Sequence, residues 1–221
     1  MNEGLKLYSY WRSSAAYRVR AALNLKGLTY EIIPVHLTHN GGEQHNADYA
    51  ELHPQELVPL LRDGGRVVRQ SMAIIEYLDE TYDGELKLVP ATARDRARVR
   101  ALAQVIACDI HPINNLRVLQ FLEREFNMPP VEREQWSRHW IEEGFHAFES
   151  MLVDSPSTGV FCEGDDPSMA DVCLVPQVYN ALRWNVDMTK YPTIARINDE
   201  CLRMPAFDRA RPENQPDAPK S

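Results

Sequence analysis

The sequence predicts an α/β domain followed by an all-α domain. Two observations carry this. Residues 1–84 hold strand and helix signals in the order β-α-β-α-β-β-α, and from about Pro90 onward strand signals give way to helical periodicity. The expected division is therefore 1–84 for the mixed domain and 90–221 for the helical one.

Each element has its own signal. Leu5 to Tyr10 alternates and is rich in β-formers, which predicts a strand. Ser13 and Ser14 are candidate caps for a helix over 16–25, with Val19, Ala22 and Leu23 on one side and Gly27 as the stop. Tyr30 to Val35 is a second strand, followed by a polar segment with Gly41-Gly42 and a short helix near 48–52. Val58-Pro59-Leu60-Leu61 opens a third strand on a proline. Asp63-Gly64-Gly65 is a turn signal, and Arg66-Val67-Val68 is the returning strand. Gln70-Ser71 caps a helix whose Ile74, Ile75 and Leu78 recur at helical spacing. The first half needs a crossover and hence a parallel pair, while the second half is a hairpin. That mixed sheet is the thioredoxin-like arrangement.

In the second domain, one long helix is expected over 94–126, bent at His111-Pro112 and broken at Met128-Pro129-Pro130. A helix follows over 131–152, then a loop over 155–167. Ser168-Met169-Ala170-Asp171 opens another helix as a capping-box variant, and a last helix covers 193–204. The proline-rich tail from Pro212 is expected to be poorly ordered.

Composition narrows the function. The net charge of -8 argues against nucleic acid or an anionic membrane as partner, so an anionic ligand needs a local cluster of Arg or Lys. No apolar run approaches the roughly 20 residues of a membrane span, and the start carries no signal-peptide pattern. The four cysteines are scattered, which predicts buried free thiols, no zinc site and a cytoplasmic setting. His36, His39, His45 and His53 lack metal-ligand spacing and are expected at the surface. Arg94, Arg96, Arg98 and Arg100 are expected on a solvated or subunit-facing surface.

Three places could carry chemistry. The first strand runs into Trp11-Arg12-Ser13-Ser14, where a thioredoxin-like redox enzyme would carry a cysteine pair. Serines at a helix start cannot run dithiol chemistry, but they can stabilise another molecule's thiolate through a hydroxyl and the positive end of the helix dipole. A cis peptide at Val58-Pro59 would let the Val58 backbone pair with an extended peptide. The helix start at Gln70-Ser71 suits a carboxylate. Together they describe a receptor for a short anionic thiol peptide.

Tyr8 to Ser14, Tyr17-Arg18-Val19-Arg20, Gln70-Ser71, Ala73 to Leu78, Asp171 to Val178 and Val186 to Pro192 resemble the zeta-class glutathione transferases, which include maleylacetoacetate and maleylpyruvate isomerases, and Cys108 to Asn115 resembles their bacterial branch. The resemblance spans nearly the whole chain and implies the glutathione transferase fold, a homodimer and glutathione as cofactor. It implies that Ser13, with Ser14 beside it, meets the glutathione sulfur. Gln44, Val58, Gln70, Ser71, His111 and Asn115 match further glutathione contacts. Arg12, Arg117 and Arg183 are the implied holders of a small dicarboxylate-type substrate, since a guanidinium fork matches a carboxylate. One position departs: Ala15 stands where the zeta pattern usually has cysteine, so chemistry relying on that thiol is absent.

The implied reaction is isomerisation of maleylacetoacetate to fumarylacetoacetate, as in tyrosine and phenylalanine catabolism. Adding a thiolate to a cis double bond leaves a single bond that can rotate. Expelling the thiolate then gives the trans product. Alternatives are the same chemistry on maleylpyruvate, from gentisate catabolism, and a glutathione-consuming reaction on small α-halo acids.

Overall fold

The computed structural model describes residues 4–84 and 86–220. The chain forms two compact units, one running to Leu88 and resuming at Arg203, the other covering 89–202.

The first unit contains β1 (Leu5–Ser9), α1 (Ser14–Leu25), β2 (Tyr30–Pro34), α2 (Ala47–Leu52), β3 (Leu60–Asp63), β4 (Arg66–Arg69) and α3 (Ser71–Thr81). The sheet order is β2-β1-β3-β4, with β1 parallel to β2 and antiparallel to β3, and β3 antiparallel to β4. This is the mixed sheet that the sequence predicts. Its register places Leu7 opposite Leu61 and Leu61 opposite Val68. Leu7 and Leu61 pack with Val19 and Leu23 of α1 and with Ile74 and Leu78 of α3. Burying such side chains contributes roughly 1.5–3 kcal/mol each. Gly64 takes a positive φ of 55° in the β3–β4 turn, which an L side chain adopts reluctantly.

The segment from Arg203 differs from expectation. It carries α9 (Pro205–Ala210) and a short turn over Pro212–Asn214, and it packs with the first unit. Pro205 and Pro212 sit at helix starts, where a missing N–H is no loss. Phe207 is fully buried, and Asn24 Nδ2 of α1 donates to Ala206 O at 2.9 Å. A proline-rich composition thus reads as loose while two of its prolines are spent on starting turns.

The second unit contains α4 (Ala93–Gln104), α5 (Leu116–Phe126), α6 (Pro130–Val153), α7 (Met169–Arg183) and α8 (Pro192–Leu202). The single long helix expected over 94–126 is divided. α4 passes into a π-turn over Val105–Ile110, then a 3-10 turn over Pro112–Asn114, and α5 restarts with Asn115 as its cap. The break falls at the expected proline, and the Asn115 side chain accepts from Arg117 N at 3.2 Å to begin the new helix. The capping box of α7 is formed: Ser168 Oγ accepts from Ala170 N, and Asp171 accepts from Ser168 N at 2.8 Å.

Three further expectations change. Arg98 is an internal tie that donates to Cys162 O and Thr158 Oγ1 and pairs with Glu163; Arg96 donates to the carbonyls of Pro90 and Ala91. Of the cysteines, all free, Cys162, Cys173 and Cys201 are buried but Cys108 is exposed. His53 is buried rather than at the surface. No described helix is long and apolar enough to cross a membrane.

Candidate active site

The register of the sheet gathers the three predicted places. β3 runs antiparallel to β1 and β4 returns antiparallel to β3, so the end of β1, the start of β3 and the end of β4 lie at one end of the sheet. Ser13-Ser14, Val58-Pro59 and Gln70-Ser71 follow or precede those three strand ends.

Ser13 is the N-cap of α1. Its Oγ accepts from Ala16 N at 3.2 Å, and its own N–H donates to Tyr10 O at 3.0 Å. A hydroxyl that accepts through a lone pair still has its hydrogen to give. Ser14 is the first helical residue, partly exposed like Ser13. Arg12 is exposed, with its guanidinium 5.4 Å from the centre of the Trp11 ring.

Val58-Pro59 is a cis peptide. Val58 is buried in a small apolar cluster with Tyr10, Val35 and Tyr49, which lies under this end of the sheet.

Gln70 is the N-cap residue of α3, but its side chain does not cap. Nε2 donates instead to Gln55 Oε1 at 2.6 Å. Its φ of 70° is rare for a residue other than glycine, and backbone held there concentrates at ligand clamps. Ser71 starts α3, and its Oγ accepts from Arg18 at 3.3 Å. Arg18 is buried, so a guanidinium charge stands behind the α3 start.

Gln44 comes from the loop after β2. It is buried, with Nε2 within 3.0 Å of His45 Nε2, and its Oε1 has no hydrogen-bond partner among the described residues. The amide folds back over Gly42, where an added Cβ would meet Gln44 Nε2 at 2.4 Å. Gly42 also has a φ of 109°, so a side chain there would be strained and would have to displace the Gln44 amide. In the same loop the His36 and His39 rings stack at 3.4 Å. Burial, and then His39, hold the His36 imidazole below its usual value.

In the second unit the structure brings His111 and Asn115 together, with Nδ2 of Asn115 at 3.4 Å from His111 Nε2. Both follow the π-turn, a local irregularity that often marks a functional stretch of helix. Arg117 is exposed in the first turn of α5. Arg183 is exposed in the last turn of α7, its guanidinium 4.9 Å from the centre of the Trp184 ring.

Sequence reasoning assigned no role to Arg18 or Arg20. Arg20 is fully buried and donates to Ser9 Oγ, Tyr10 O and Trp11 O, so it holds the turn that precedes Ser13. The available signal was two arginines inside a helix whose surrounding positions are apolar. Among the described residues no three His, Cys, Asp or Glu side chains converge to hold a metal ion.

The residues present fit a short thiol peptide. A hydroxyl hydrogen stands at one helix start, a second helix start is backed by a buried cation, and a buried amide oxygen lacks a donor. Comparison with known proteins gives the same sense. Residues 7–86 match the family described as "Glutathione S-transferase, N-terminal domain". A probable maleylacetoacetate isomerase of Vibrio cholerae is 53% identical, over 97% of this chain and 98% of its own. A bacterial zeta-class maleylpyruvate isomerase of known structure shares 46% identity at a TM-score of 0.93, covering 97% of this chain and 100% of its own. A maleylacetoacetate isomerase structure from Methylobacterium extorquens, with bound malonate and glutathione, shares 42% identity at a TM-score of 0.92 over the same shares.

Proposed function

Because the chain belongs to the zeta-class glutathione transferases, the family of the maleylacetoacetate and maleylpyruvate isomerases, we propose that it is a glutathione-dependent cis–trans isomerase converting maleylacetoacetate to fumarylacetoacetate. The observation that carries this reading is the start of α1. There a serine caps the helix through a lone pair and keeps its hydrogen for a sulfur.

Glutathione, when bound, supplies the thiol that adds to the cis double bond, allows rotation and departs unchanged. The chain's residues make that thiol an anion. A hydrogen bond from Ser13 and the α1 dipole contribute about 1 kcal/mol each, which lowers a thiol pKa by about 1.5 units. Val58 offers backbone groups to the peptide. Gln44 Oε1 takes an N–H, and the α3 start, with Arg18 behind Ser71, faces a carboxylate. Arg12 holds an anionic end of the substrate near the sulfur. The roles of Arg117, Arg183, His111 and Asn115 rest on resemblance, and single substitutions test them.

The test is turnover of the two candidate substrates by purified protein, with glutathione recovered and weighed by mass spectrometry. Faster turnover of maleylacetoacetate with an unchanged glutathione pool is the expected outcome. Preference for maleylpyruvate would favour the second reading, for which the likeness to the maleylpyruvate isomerase structure speaks. Consumption of glutathione would sink both and favour conjugation or dehalogenation. This reading places the enzyme in the cytoplasm as a homodimer, which fractionation and sedimentation test.

A further inference from the structure

The turn joining β1 to α1 carries Ser13, yet much of what holds its backbone comes from outside it. Within the turn, Ser13 N donates to Tyr10 O. The Trp11 N–H is taken by Asp217 Oδ2 at 2.9 Å, from a point 206 residues further along the chain. The Trp11 and Tyr10 carbonyls are taken by Arg20 at 3.0 and 3.4 Å, and the same guanidinium donates through Nε to Ala210 O at 3.0 Å. Both outside ties therefore end on one segment, residues 205–217.

That segment is itself fixed. α9 lies along α1, where Tyr17 Oη donates to Phe207 O and Asn24 to Ala206 O. Buried Gln215 donates to Arg209 O at 2.9 Å and to Arg211 O at 2.7 Å. These bonds fold the segment back after α9, and Asp217 then reaches Trp11.

We propose that residues 205–217 form a strap that positions the thiol site, and that Asp217 is its terminal positioning residue, acting on Ser13 through the Trp11 N–H. This rests on the reading that the glutathione sulfur lies at Ser13. A charge-based account of Asp217 makes the opposite prediction. A carboxylate this close to the start of α1 opposes a thiolate there, so an Asp217 acting by charge would slow the enzyme, and removing it would help. An Asp217 acting by position helps, and removing its acceptor hurts. Arg12, Arg20, Tyr17, Tyr30, Glu43, His36 and His39 act on or beside the turn, with Asp208, Arg211 and Glu213 acting on Tyr17 from the segment itself, and the variants below leave them all in place.

The experiment compares the full-length wild type with Asp217→Ala, which removes acceptor and charge, and Asp217→Asn, which keeps an acceptor oxygen and removes only the charge. A chain ending at Pro216 is a further variant, checked with the others for folding by circular dichroism. Thiolate absorbance of bound glutathione against pH is read beside kcat and KM. Asp217→Ala and the shortened chain are expected to lose about ten-fold in kcat, with KM for glutathione changed less than about two-fold and the bound thiol's pKa rising toward that of free glutathione. Asp217→Asn should recover most of the loss. Wild-type kcat and thiol pKa in Asp217→Ala would overturn the strap, as would a faster Asp217→Ala or an Asp217→Asn as impaired as Asp217→Ala. If wild type itself leaves the bound thiol at its free pKa, the placement of the sulfur at Ser13 fails, and the strap with it.

Discussion

Ser13 uses its hydroxyl in two directions. The oxygen accepts from Ala16 N, and the hydrogen remains for a ligand. Ser13→Ala therefore removes a cap and, on the proposed reading, a thiol partner in one step. The cap is worth about 1 kcal/mol, which a two-unit chain tolerates, so circular dichroism should be unchanged. Turnover should fall by about ten-fold or more, because the thiol contact strengthens as the sulfur becomes anionic. Wild-type turnover would remove Ser13 from the chemistry. On the same reading Gln44 would be the other kind of site residue. Its buried Oε1 lacks a partner among the described residues and would meet a group of glutathione that does not change during reaction. Gln44→Met should raise KM for glutathione about five-fold and leave kcat nearly as it was, the signature of uniform binding. An unchanged KM would place Gln44 outside the site.

At the scale of elements, α7 shows what the sequence makes legible. Ser168-x-x-Asp171 announces a helix start, and both bonds of the box form. The sequence does not reveal that Asp171 is fully buried and also accepts from Cys162 N at 2.9 Å, a bond from outside the helix. Asp171→Ala leaves buried donors of Ser168 and Cys162 without an acceptor. It should cost about 3 kcal/mol, or roughly 6–12 °C in Tm, which calorimetry would read. A Tm within a degree or so of wild type would show that the box is dispensable. The parallel pair and the hairpin were legible because crossover rules and local turn chemistry fix them. The π-turn before His111 was not, because its hydrogen-bond shift has no composition signal of its own. The strap from Pro205 was hidden for another reason. Its order comes from long-range bonds to α1 and Trp11, which a window of sequence cannot contain.

At the scale of the molecule, titratable groups that folding takes out of water, wholly or in part, couple stability to pH. Burial, then Arg69, holds His53 below its ordinary value; burial, then His39, does the same for His36. The sign follows from counting protons. Each folded pKa lies below the unfolded value of 6.5, so between the two the unfolded chain holds the extra proton. Stability therefore falls as pH is lowered through 6.5 and goes on falling until the folded imidazoles also charge. Asp171 acts in the opposite sense. Burial raises its pKa above 3.8, so the folded state holds the extra proton there and gains as pH falls. The two effects separate by substitution, because changing the histidines leaves Asp171 alone. Urea midpoints should drop between about pH 7.5 and about pH 5.5 in wild type, and the drop should be clearly smaller in His36→Gln/His53→Gln. Equal slopes in the two proteins would mean that the imidazoles titrate alike in folded and unfolded chains, and that acid sensitivity lies in the carboxylates.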